Sequence, residues 1–239
     1  MEQQPIALVT GANKGIGLEI ARQLAQAGVR VILGVRDAAR GAAALADLAR
    51  GGLTAETCLV DIAIPKSVTD AAADITARFG RLDILVNNAG VFDFTDGTPG
   101  SAAIDSVRRV LDVNFIGTLT VTQAMLPLLK AAGQGRIVNL SSSLGSLAVN
   151  GDPTSPYFAA RFIGYNASKA ALNMLTVQLA EELRDSGIKV NSVSPGFVKT
   201  DLTGMGDMTP EEGAVLPVRY ALEGQDTGTF VEPAGVTPW

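Results

Sequence analysis

Ile6-Ala7-Leu8-Val9-Thr10-Gly11-Ala12-Asn13-Lys14-Gly15-Ile16-Gly17 is the stretch on which the reading of this chain turns. Ile6–Val9 is a short apolar run of strand length, and Gly15–Ala27 has the length and Ala-rich amphipathic character of a helix. Between them lie three glycines in eight residues. Gly11 permits a tight turn, Gly15 lets backbone approach a bound group, and Gly17 lets the helix pack on the strand. A helix that starts there points its free amides at an anion, and the combination suits a dinucleotide pyrophosphate. An ordinary strand-to-helix turn is the competing reading, but such turns seldom need three glycines so close together.

Outward from this turn the same rhythm repeats. Val29–Val35, Thr57–Val60, Leu82–Val86, Arg136–Leu140 and Ile188–Val193 are strand-length runs, mostly apolar on both faces, as buried parallel strands are. Ala38–Arg50, Pro65–Phe79, Ile104–Lys130 and Tyr165–Ser186 are helix-length. Strand–helix alternation predicts an α/β fold, a Rossmann-type doubly wound parallel sheet with helices on both faces. No linker or repeat divides the chain, so one domain over residues 1–239 is expected. Three stretches break the rhythm: a Gly/Pro-containing loop at Phe92–Ser101, an irregular segment at Ser146–Ile163, and a Gly/Met-rich loop at Lys199–Met208. Thr209-Pro210-Glu211-Glu212 is a helix start with N-cap, Pro and capping-box Glu.

Composition excludes whole classes of chemistry. The 239 residues include no His, which removes Ser-His-Asp hydrolysis, His-ligated zinc and His proton shuttles. The single Cys58 removes internal disulfides and Cys-cluster metal sites, so no metal is expected. A net charge of -5 without a basic run argues against nucleic acid and anionic membranes. No apolar run reaches membrane-spanning length. Met1-Glu2-Gln3-Gln4-Pro5 does not read as a signal peptide, which makes the cytoplasm the default expectation.

The spacing Gly-x-x-x-Gly-x-Gly is joined, in order, by Asn87-Asn88-Ala89-Gly90 after the fourth strand, Asn114 in the next helix, and Ser141-Ser142-Ser143 after the fifth strand. Tyr165-Asn166-Ala167-Ser168-Lys169 follows, then Pro195-Gly196, Val198 and Thr200 after the sixth strand. With these motifs the chain resembles the short-chain dehydrogenase/reductase family over nearly its whole length. Tyr165 lies 23 positions after Ser142, longer than the commonest family version. The extra residues, an inserted segment at about 146–163, resemble the carbonyl-reductase branch. So do Asn13-Lys14 in the first turn, and Thr209–Ala214 with Pro217-Val218. A surface loop of no consequence is the alternative reading of the insertion.

Tyr165 and Lys169 are four apart and share a helix face. A phenol titrates near ~10, too high for acid–base work at neutral pH, and an ammonium one turn away is expected to lower that value. Tyr165 then protonates a carbonyl oxygen as hydride reaches carbon, or runs the reverse. Ser142, matched to the family position, is expected to hydrogen-bond the same oxygen, with Ser141 and Ser143 as turn residues. The resemblance further implies that Lys169 holds the nicotinamide ribose and that Asn114 supports a proton relay through water.

Cofactor contacts are expected from Gly11, Asn13, Lys14, Gly15, Ile16, Gly17, Asn88, Ala89, Gly90, Tyr165, Lys169, Pro195, Gly196, Val198 and Thr200. Asp61-Ile62 ends the third strand, where family members contact adenine; a strand-end turn is the other reading. Val35 occupies the second-strand position where an NAD site places a carboxylate. Arg36 follows, suited to the 2′-phosphate of NADPH, with Lys14 adding a second cation nearby. Arg40 either assists or is a solvated helix residue. Asp37 mimics the acidic residue in sequence but reads as the N-cap of the next helix.

Cys58 reads as inert core. Phe92, Phe94, Tyr157, Met205 and Met208 either line an apolar substrate site or cover the core; Trp239 is left unplaced. The resemblance implies an NADPH-dependent carbonyl reductase acting on a small aldehyde or ketone. A 3-oxoacyl or steroid-type dehydrogenase shares the same catalytic residues, and a nucleotide-sensing binding module is the non-enzymatic alternative. Because the insertion precedes the helix through which many family members associate, a monomer is expected, with a dimer next.

Overall fold

The computed structural model describes residues 3–239; Met1 and Glu2, part of the stretch read above for a leader, lie outside the described residues. Eight strands form one sheet in the order β3-β2-β1-β4-β5-β6-β7-β8. Their ranges are β1 Ile6–Thr10, β2 Arg30–Val35, β3 Glu56–Leu59, β4 Ile84–Asn87, β5 Arg136–Leu140, β6 Lys189–Val193, β7 Thr229–Glu232 and β8 Gly235–Val236. All neighbours pair in parallel except the last two. The chain builds outward from β1 to β3, then returns to lay β4 on the other side of β1. That reversal opens a crevice at the carboxyl ends of β1 and β4, where such sheets bind ligands.

Alternation along the strands feeds two cores. Ala7, Val9, Val31, Leu33 and Val86 pack with Ile20 and Leu24 of α1 (Gly15–Gln26), Ala44 and Leu48 of α2 (Ala38–Arg50), and Val218 of α8 (Pro210–Leu222). Leu8, Ile32, Leu85 and Ile137 point the other way. They meet Val68 and Ile75 of α3 (Pro65–Phe79), Val121 and Met125 of α5 (Thr118–Ala131), and Leu179 of α7 (Ile163–Glu182). Both faces of the sheet are therefore apolar, and water is excluded from its backbone ladder on both sides.

Helix termini follow the local chemistry. The Asp37 carboxylate accepts the Arg40 amide at 2.9 Å and caps α2. Thr209 and Glu212 complete a reciprocal capping box on α8.

Three features depart from the sequence reading. The helix expected over Ile104–Lys130 is α4 (Ile104–Leu111), a π-helical stretch at Asp112–Gly117, and α5. A β-carbon on Gly117 would stand 2.8 Å from the Ile62 carbonyl, so the widened segment runs hard against the turn that follows β3. A short helix α6, Leu147–Gly151, stands within the irregular segment. Strands β7 and β8 extend the sheet beyond the six expected; their runs are only four and two residues long, too short for periodicity to register. Among the described residues, no helix is long and apolar enough to cross a membrane.

Candidate active site

The crevice floor is tied together by Thr10 and Asn88. The Thr10 hydroxyl accepts the Asn88 and Ala89 amides, each at 3.0 Å. The Asn88 side chain donates to the carbonyls of Thr10 (2.8 Å) and Gly11 (3.3 Å). Gly17 is obligatory here, because a β-carbon on it would stand 2.4 Å from the Asn88 amide nitrogen. Gly11 has φ of +66° and bends the chain so that its own amide reaches the Gly34 carbonyl at 2.8 Å.

At the start of α1 no side chain caps the helix and no acidic residue stands in its first turn. The nearest atom to a β-carbon placed on Gly15 is a Thr200 methyl, 3.8 Å away. Free amides facing open space across from Thr200 make a cradle for a diphosphate, and Gly15 and Ile16 form its wall. These residues fit a dinucleotide. Lys14 is paired with Asp201 at 2.7 Å across the mouth, which links the first turn to the loop after β6. Asn13 is half-buried in the same turn.

Arg36 and Arg40 are exposed at the end of β2 and the start of α2, while the intervening Asp37 is engaged in capping. Asp61 accepts the Ala63 amide through Oδ1 at 3.0 Å, so it does act as a turn residue. Ile62 is buried beside Gly117. Gly196 has φ of +90°, and a β-carbon there would strike the Met208 sulfur at 2.6 Å. Val198 is buried against Gly213. Thr200 faces Gly15 across the crevice, on the loop after β6 that also holds Pro195 and Val198.

The reacting end lies where β5 and α7 meet. Of the three serines, Ser141 is buried and donates to Asn173 at 2.7 Å, and Ser143 is buried and donates to Glu232 at 2.5 Å. Ser142 alone is half-buried; its hydroxyl accepts the Leu144 amide at 3.2 Å and lies beside the Tyr165 phenol, close enough to influence its titration. Lys169 is 6% exposed; its ammonium donates to the Leu140 carbonyl at 2.8 Å and lies 5.6 Å from the Tyr165 ring centre. Gly145 permits this approach, since a β-carbon on it would stand 2.7 Å from Lys169. The Asn114 side chain, in the π-helical stretch, spends both amide hydrogens on the Val91 carbonyl and the Ser168 hydroxyl. Its Oδ1 accepts the Val91 amide at 2.8 Å. Asn114 thus pins the Gly90–Val91 backbone beside Lys169.

The electrostatics differ from the sequence expectation on one point. Burial pushes the Tyr165 phenol up to about 12, against a smaller downward pull from the Ser142 hydrogen bond. The neighbouring ammonium does not bring the phenol down. Burial likewise pushes Lys169 down to about 8. Both groups lose water in the same pocket, and desolvation disfavours each charged form.

Other residues at the site carry no motif. Phe92 meets Phe94, Phe162 and Tyr165 edge-on, with ring centres 5.0 to 5.3 Å apart. Glu232 closes a polar cluster with Ser143 and Ser194. Residues 238 and 239 strap the start of the 146–163 segment: Ser146 donates to the Pro238 carbonyl, and Ala148 to that of Trp239. The Trp239 ring stacks on Phe230. The bonds from Ser143 and Ser146 join positions 89 and 92 residues apart, which no local pattern reveals. Phe94 and Met205 are exposed, whereas Tyr157 is half-buried. Cys58 is buried, its thiol pushed up to about 12 by burial, and is inert.

Comparison with known proteins identifies the family. Residues 5–209 match the family model for short chain dehydrogenases. Short-chain dehydrogenase/reductase 1 of Saponaria officinalis is 35% identical, over 100% of this chain and 97% of the relative. Carbonyl reductase [NADPH] 1 of Rattus norvegicus is 34% identical over 99% of both chains. The crystal structure of NADPH-bound carbonyl reductase from chicken fatty liver superposes with a TM-score of 0.86, at 30% identity and full coverage of both chains.

Proposed function

The chain belongs to the short-chain dehydrogenase/reductase family, on its carbonyl-reductase-like branch, and on that premise we propose that it is an NADPH-dependent reductase of aldehyde or ketone carbonyls. The observation that carries the proposal is the meeting of Ser142, Tyr165 and Lys169 at the open end of the crevice, beyond the uncapped start of α1. Bound NADPH supplies the hydride. The amides at the start of α1 hold its diphosphate, and Arg36 takes the 2′-phosphate with a planar guanidinium fork. Lys169 holds the nicotinamide ribose.

Tyr165 donates its phenolic proton to the carbonyl oxygen. Its high pKa keeps that proton in place across the neutral range. Ser142 offers a second hydrogen bond to the same oxygen and steadies the charge that develops there. Asn114 supports the relay by fixing the backbone at Gly90–Val91. The apolar rings of Phe92 and Phe162 keep water from this end of the site.

Tyr165→Phe removes the transferable proton and little volume. Turnover of NADPH with a carbonyl panel should fall at least about a hundredfold, while NADPH still binds. Near-normal turnover in that variant would remove Tyr165 as the acid. Arg36→Ala tests cofactor choice. A charge-assisted phosphate contact contributes about 1.5–3 kcal/mol, so kcat/KM for NADPH should fall about ten- to a hundredfold, and for NADH much less. Equal loss with both cofactors would move the phosphate contact to Lys14 or Arg40, and a parent that prefers NADH would overturn the assignment.

A further inference from the structure

Helix α7 carries Tyr165 and Lys169, yet nothing near it in sequence caps its start. Phe162 stands at the N-cap position and no acidic residue occupies the first turn. The amides of Ile163, Gly164 and Tyr165 are satisfied from far away, by the Phe92–Ser101 loop. The Gly97 carbonyl accepts Ile163 at 2.9 Å. The Asp96 carboxylate accepts Gly164 through Oδ1 at 3.0 Å and Tyr165 through Oδ2 at 2.8 Å, and Oδ1 also accepts Gly97 at 2.8 Å. Asp96 is 9% exposed. A β-carbon on Gly164 would come 3.1 Å from Asp96 Oδ2, so the carboxylate sits directly on the helix backbone.

The same loop touches Tyr165 at its other end. The Phe92 ring packs edge-on against the Tyr165 ring, with centres 5.3 Å apart. The loop is itself anchored, because Asp93 pairs with Arg109 near the end of α4 and caps Thr95. Tyr165 is therefore gripped at amide and ring by one loop, 69 positions away along the chain at Asp96. A local Ser or Asp at the N-cap would satisfy the same amides, but it would not tie the helix to the loop.

We propose that Asp96 is a positioning residue for the reduction: its carboxylate sets where Tyr165 stands relative to Ser142 and Lys169. The proposal rests on the reading of Tyr165 as the acid. A small displacement of a reacting group costs large factors in rate. Asp96→Asn keeps the shape but turns one acceptor into a donor that faces an amide N–H. It should lower kcat about ten- to a hundredfold and leave the NADPH dissociation constant, read from nucleotide fluorescence, unchanged. Combined with Tyr165→Phe it should lower the residual turnover no further, since the group it positions is already gone.

The outcomes separate the two readings. If Tyr165→Phe keeps near-normal turnover, the acid assignment fails and this proposal with it. If Tyr165→Phe is impaired but Asp96→Asn turns over normally, only the role of Asp96 fails. The same factor lost in both backgrounds also overturns it, because the carboxylate would then act on something other than the phenol. Asp96→Ser, whose hydroxyl can cap one amide, repeats the test should Asp96→Asn fail to fold by circular dichroism. If neither folds, Asp96 holds the fold rather than the tyrosine, and the proposal is wrong.

Discussion

Lys169 keeps its ammonium in a place that penalises it. The group is 6% exposed, donates to one carbonyl, and is pushed down to about 8 by burial from an ordinary 10.5. The sign of the resulting pH dependence follows from linkage. Below about pH 8 both the folded and the unfolded chain hold the proton, and the fold carries the full cost of burying the charge. As pH rises from about 8 toward 10.5 the folded chain releases its proton first, and the cost disappears. Tyr165 acts in the opposite sense: its raised value favours the fold below pH 10, an advantage lost as pH rises toward about 12. Between pH 8 and 10 the lysine is therefore isolated from the tyrosine. Over that window the parent should gain stability relative to Lys169→Met in urea unfolding without nucleotide. A difference that stays flat would mean the ammonium is well solvated. A buried lysine with this cost belongs to a site arranged for chemistry rather than for stability.

At the scale of elements, the site is made where secondary structure stops or deforms. α1 begins without a cap, and its free amides face the crevice. β5 ends in three serines whose side chains go three ways, so one hydroxyl alone faces the phenol. The helix between β4 and β5 widens into a π-helical stretch at Asp112–Gly117, which turns Asn114 onto the Val91 backbone. α7 takes its cap from a loop instead of from its own N-cap residue. In each case a backbone need that regular structure leaves open is met by a side chain that also shapes the crevice.

Across the whole molecule, the doubly wound order places all of these termini at one edge of the sheet. The opposite consequence concerns the outer surface. The 146–163 segment is tied to the first turn of α7, where Asn166 donates to the Asn150 side chain and the Ala160 carbonyl. Farther along, Met174 is 56% and Val177 39% exposed, so the cover expected from the insertion stops short of them. Two apolar side chains are a small patch beside the roughly 800 Å² per partner that a stable interface buries. We therefore expect a monomer on size exclusion with light scattering. A stable dimer or tetramer would show that α7 is an association surface despite the insertion.

The sequence by itself determined the layers, a parallel sheet covered by helices on both faces. Short apolar runs of strand length and Ala-rich amphipathic runs of helix length are local signals, and so are the caps at Asp37 and Thr209, because each depends on neighbours within a few residues. The glycine turn and the Tyr165–Lys169 spacing were legible for the same reason. Only the tertiary structure decided that burial raises the Tyr165 pKa where an ammonium was expected to lower it, and that Asp96 caps the helix that carries Tyr165. It also decided the short strands β7 and β8, and the strap from Pro238 and Trp239. Each of these depends on groups far apart in the chain, or on how much water the packed fold leaves around a side chain, and neither quantity exists until the chain has folded.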